Sequence, residues 1–98
     1  MTQADYSIKE NSFIARIAAM KLRSKSLAIV LGNTIHLHNI SKEDFLKDEA
    51  WLKHELCHIE QFKTHGTIPF VIKYLYESIL HGYHNNKFEI AAREAELR

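Results

Sequence analysis

Ninety-eight residues leave room for one hydrophobic core, so a single domain over 1–98 is expected. An apolar share of 46% beside 26% charged residues belongs to a folded globular chain and excludes intrinsic disorder. Thirteen basic and twelve acidic side chains leave a net charge of +1, which argues against nucleic acid or an anionic membrane as the main partner.

The opening Met1-Thr2-Gln3-Ala4-Asp5-Tyr6 has neither a basic start nor a long apolar run, so no leader peptide is expected. Ser7-Ile8-Lys9-Glu10 has the form of a capping box and predicts a first helix with Phe13, Ile14, Ile17 and Met20 as its buried stripe. That helix fades near Arg23 to Ser26. Leu27 to Leu31, Gly32-Asn33 and Thr34 to His38 predict a β-hairpin with a two-residue Gly-X turn. Pairing Leu31 with Thr34 sets Ala28, Val30, Ile35 and Leu37 on one face and Leu27, Ile29, His36 and His38 on the other. The first face is wholly apolar and the second partly so, which predicts helices over both.

Ser41 followed by Asp44 signals another helix start, with a helical pattern to about His65 and a break near Asp48. Gly66 closes it, and Thr67-Ile68-Pro69 reads as a cap followed by a first-turn proline. The third helix carries a regular stripe of Ile68, Val71, Ile72, Leu75, Ile79 and Tyr83. Lys73 and Glu77 interrupt this most apolar stretch well short of a membrane span. Gly82 to Asn86 forms a loop, and a last helix starts at about Lys87 with a stripe of Phe88, Ala91, Ala92 and Ala95. The one cysteine, Cys57, permits no internal disulfide; with no leader or span, a cytoplasmic location is expected.

Seven histidines stand out in so short a chain, and two of them fall in His54-Glu55-Leu56-Cys57-His58, an HExxH sequence. Residues four apart lie one above the other on a helix, so both imidazoles reach one metal ion from the same face. Glu55 is offset from His54 by about 100°, where its carboxylate can reach a water on that metal without being a ligand. Zinc would acidify the water and Glu55 would take its proton as general base. With His54 at 0°, His58 falls near 40°, Trp51 near 60° and Phe62 near 80°, at about 100° per residue. The polar groups therefore sit at the edge of the core face, where they need partners. A metal supplies them. The alternative is a pair of structural histidines in a metal-free helical protein.

The third ligand is less determined by spacing. The His-Glu-x-x-His-x-x-Gly-x-x-His pattern would need glycine and histidine where this chain has Gln61 and Thr64. His65 lies seven residues past His58, about 10 Å along a continuous helix, too far to share the metal. Glu89, opening the last helix, is the preferred ligand, with Glu94, Glu96, His81 and His84 as alternatives. Asn86-x-x-Glu89 is also a capping pattern, which would explain Glu89 without a metal. His81, Tyr83 and His84 flank Gly82 and are placed to contact a polarised substrate oxygen.

His54 to Phe62, followed by Gly82-Tyr83-His84-Asn85-Asn86-Lys87-Phe88-Glu89-Ile90-Ala91-Ala92-Arg93-Glu94, resembles small bacterial zinc metallopeptidases of gluzincin type, the minigluzincins among them. The hairpin ahead of the HExxH helix fits the same pattern, so the resemblance covers most of 27–98. It implies an α+β domain with a zincin-like core, in which a β-hairpin packs on three to four helices and HExxH lies on the central one. It also implies one zinc ion held by His54, His58 and Glu89, with Glu55 as the catalytic residue and a peptide or protein as substrate. Gluzincins often carry an aspartate four residues after the third ligand, which orients an HExxH histidine. Here that place holds Arg93. Larger gluzincins wall the cleft with a second domain, so a partner domain or larger assembly is a further expectation. A non-catalytic, zinc-stabilised interaction module with the same ligands is the rival function.

Overall fold

The computed structural model describes residues 6–98, and the expectation of a leaderless start falls on residues 1–5, outside that range. In chain order the elements are β1 (Ser7–Lys9), α1 (Phe13–Leu22), β2 (Leu27–Leu31), β3 (Thr34–His38), α2 (Lys42–Lys47), α3 (Glu49–His65), α4 (Thr67–His81) and α5 (Lys87–Ala95). The class is α+β, with five helices and a three-stranded sheet in place of a hairpin on three to four helices. None of these helices is long and apolar enough to cross a membrane.

The extra strand corrects the start of the first helix. Ser7, Ile8 and Lys9 pair in parallel with Thr34, Ile35 and His36 instead of opening a helix. Ile8 packs against the core from this strand, so sheet pairing overrides the local capping pattern. Asn11 then turns the chain at φ 52°, and Ser12 caps α1 by accepting the backbone N–H of Ala15. The predicted burial of Phe13, Ile14, Ile17 and Met20 is also overturned. Ala15 and Ala19 are buried instead, while Phe13 and Met20 are each 70% exposed. Two alanines one turn apart allow the helix backbone close to the sheet, and the larger side chains on the flanks have no room beneath.

The hairpin follows its predicted register, with Leu31 opposite Thr34 and Gly32 alone in the turn at positive φ, 66°. Val30, Ile35 and Leu37 are buried in the core with Phe45, Ile59, Phe62, Phe70 and Phe88. On the other face α1 covers β2 and β3, where Ser12 hydrogen-bonds His36. Strand order β1-β3-β2 leaves β2 with one edge unpaired by any strand among the described residues.

Asp48 both ends α2 and begins α3, its Oδ1 accepting the N–H of Trp51 at 3.1 Å. Gly66 at φ 86° closes α3 and is also the N-cap of α4, so Thr67 is the first helical residue and not the cap expected. The stripe predicted for α4 is likewise corrected: Ile68, Ile72, Leu75, Ile79 and Tyr83 are exposed. This helix meets the core through Phe70, with Val71 and Tyr74 partly buried beside it. Asn86 caps α5, and its Nδ2 donates to the Tyr74 carbonyl and to Ser78 Oγ, fastening the start of α5 to α4. Phe88, Glu89, Ala92 and Ala95 then bury one face of α5, which packs closely along α3.

Candidate metal centre

The HExxH residues occupy the middle of α3, where one helical turn separates the two imidazoles and puts their ring centres 5.1 Å apart. The small side chains Ala92 and Ala95 let α5 approach that face, and the Glu89 carboxylate reaches both imidazoles. His54 Nε2 lies 3.1 Å from Glu89 Oε1, and His58 Nε2 lies 3.1 Å from Glu89 Oε2. One donor atom from each of the three lies within 4.8 Å of the others, so the trio can hold a metal ion. Glu55 is only 5% exposed and lines the same cleft as the trio.

The other ring nitrogens are also held. His58 Nδ1 is 2.8 Å from Gln61 Oε1, while the Gln61 amide donates to the Phe88 carbonyl at 3.1 Å. That second bond fixes the amide with its oxygen toward His58, so His58 Nδ1 must carry a proton and Nε2 is left for a metal. His54 Nδ1 donates to Glu96 Oε2 at 2.6 Å in the same sense. Tyr74 Oη donates to Glu89 Oε2 at 2.5 Å.

Burial opposes protonation of His54, but hydrogen bonding to Glu89, the charge of Glu55 and the bond to Glu96 outweigh it and lift the pKa to about 9. His58 moves upward too: burial opposes charging, and its contacts with Glu89 prevail. For Glu89, burial favours the neutral acid, yet the bonds from His54 and His58 hold the carboxyl far below its usual range. Burial raises Glu55 to about 7 against the pull of both histidines, a value suited to a group that accepts and returns a proton near neutrality. Burial, together with the charges of Glu89 and Glu55, pushes Tyr83 up to about 12. In metal-free protein both Nε2 atoms face the Glu89 carboxylate, which favours the protonated form of each imidazole. A divalent cation would compete with protons for these two nitrogens, and two imidazoles with one carboxylate are a donor set that suits such an ion.

A cleft of about 380 Å³ opens beside this cluster, lined by Leu27 to Leu31 of β2, by Phe62, and by Val71, Tyr74 and Leu75 of α4. Of the three residues expected around Gly82, Tyr83 lines the cleft, whereas His81 and His84 are exposed outside it. The His84 carbonyl instead accepts a hydrogen bond from Arg93. Glu94 is exposed, and His65 stacks on Phe70, so neither joins the trio. Glu96 meets the outer nitrogen of His54 and does not belong to the trio. Gln61, Tyr74 and Glu96 in this supporting role were not foreseen. Gln61 had a signal, since it stands one turn after His58 on the same helix, and so had Glu96, seven residues after Glu89 on one helix face; Tyr74 comes from another helix and had none. No protein-family model, curated protein or solved structure matches this chain.

Proposed function

We propose that the chain is a zinc-dependent peptidase with a zincin-like core of gluzincin type, His54, His58 and Glu89 holding the metal and Glu55 acting as general base. One observation carries this reading. A glutamate from a separate helix meets both HExxH imidazoles, while the HExxH glutamate lies beside an accessible cleft and outside the ligand set. Zinc, when bound, supplies the Lewis acidity that polarises a scissile carbonyl. Glu55 takes a proton from the attacking water and delivers it to the leaving amine. The unpaired edge of β2 offers main-chain donors and acceptors to an extended peptide, and this strand forms one wall of the cleft. Tyr83, which also lines the cleft, would hydrogen-bond the substrate oxygen. The open cleft favours turnover over a closed, purely structural zinc module.

Glu55→Gln tests the assignment. The variant should retain about one zinc per chain and lose hydrolysis of any peptide the wild type accepts, as befits a base that is not a ligand. Loss of zinc from the variant would make Glu55 a ligand. Full activity would remove it from the chemistry.

A further inference from the structure

We infer that Glu96 is the positioning carboxylate of this centre, fixing the ring of His54 so that Nε2 faces the metal; this rests on the metal reading above. Helix geometry explains why Glu96 takes the role and Arg93 does not. Arg93, four residues past Glu89, is rotated by about 40° and stands about 6 Å along α5, whereas Glu96, seven residues past, is rotated by only about −20° and stands about 10.5 Å along. Glu96 thus returns to the face of α5 that carries Glu89, and side chains on a helix lean toward its N-terminus, back toward the cluster. Its Oε2 reaches His54 Nδ1 at 2.6 Å, the shorter of the two contacts that this ring makes with a carboxylate. Arg93 donates to the His84 carbonyl instead.

The bond does two things. Accepting the Nδ1 proton commits Nε2 to the metal and holds the ring plane, so the ion meets a preformed ligand. It also leaves the three inner residues with one outer partner each: Glu96 for His54, Gln61 for His58 and Tyr74 for Glu89. Glu96 is the one of those partners that brings a charge of its own, and its bond to His54 is charge-assisted, as is that of Tyr74 to the Glu89 carboxylate.

Titration of zinc and cobalt(II) into wild type, Glu96→Ala, Glu96→Gln, Glu94→Ala and Glu89→Ala tests the inference. Glu96→Ala should bind both ions about ten- to a hundred-fold more weakly, with shifted visible bands in the cobalt form. Glu96→Gln should recover part of the affinity, because its amide oxygen still accepts from Nδ1–H, and Glu94→Ala should match wild type. Wild-type affinity and spectrum in Glu96→Ala would overturn the inference. So would a loss as complete as that of Glu89→Ala, which would make Glu96 a ligand. In metal-free, ¹⁵N-labelled protein, the His54 Nδ1–H resonance should be protected from exchange in wild type and lost in Glu96→Ala. Its persistence in the variant would overturn the role of Glu96. This arm needs no metal, so a wild type that binds neither ion would defeat the metal reading separately.

Discussion

Ser12 and His36 meet between α1 and β3, both buried, with Ser12 Oγ 2.8 Å from His36 Nδ1. The same Oγ accepts the N–H of Ala15, and a neutral imidazole with Nδ1 unprotonated can accept the proton of that hydroxyl. Burial first, and then the charge of Lys9 on the neighbouring strand, lower the pKa of His36 from 6.5. The positive end of α1 acts in the same direction. Because the unfolded chain takes up this proton more readily, folding stability should fall as pH drops below about 6.5. His54 and His58 shift the other way, so their contribution is greatest in acid and, for His54, is lost as pH rises through about 9. Comparison with His36→Asn separates the two, since an amide oxygen can accept from Ser12 without titrating. Urea midpoints at pH 6.5 and 5 should drop further in wild type than in this variant; equal losses would show that His36 is not the group responsible.

Among the helices, α1 and α4 present their apolar stripes outward and make their core contacts through other residues. Amphipathic periodicity marks a face but does not say which neighbour covers it. For α1 the sheet accepts only the small face of Ala15 and Ala19; for α4 the aromatic cluster around Phe62 and Phe88 takes Phe70. The contrast can be measured. Ile79, 82% exposed, should tolerate replacement by lysine with a stability change within about 0.5 kcal/mol, typical of a surface site. Phe70→Ala should cost about 3–5 kcal/mol through lost burial and a residual cavity. Chemical denaturation of both variants decides it, and a large loss in Ile79→Lys would mean that the exposed stripe is covered in solution.

At the scale of the whole molecule, the sheet lies between α1 and α3, and α3 is the common partner of β2, α4 and α5. The metal trio spans α3 and α5, while Tyr74 brings α4 to Glu89. An ion seated there binds the folded chain and not the unfolded one, so zinc should raise the melting temperature and a chelator should reverse the rise. Binding near neutral pH should release protons, since the pKa values of both imidazoles are raised in the metal-free fold, and calorimetry in buffers of different ionisation enthalpy measures that release. Glu89→Ala should abolish the zinc-dependent rise, whereas loss of a capping contribution alone would lower stability by about 1 kcal/mol and leave that rise intact. An undiminished zinc response in Glu89→Ala would place the third ligand elsewhere.

The local features were legible from residues 27–98 because short-range chemistry decides them. Gly32-Asn33 set the hairpin turn, Ser41 and Asn86 marked helix starts through side-chain caps, and the break near Asp48 separates α2 from α3. HExxH carried its ligand geometry in the i, i+4 repeat of one helix, and Glu89 could be proposed because it opens the next face available. Which apolar stripe is buried was a matter of tertiary structure, since burial depends on the shape of the opposing surface. Pairing with β3 likewise turned Ser7–Lys9 from a capping pattern into a strand. Tyr74 was illegible for the same reason: it is brought to Glu89 by a helix whose rotation and approach are set by packing against α3, and no spacing along the chain encodes that distance, whereas Glu96 shares a helix face with Glu89 seven residues earlier.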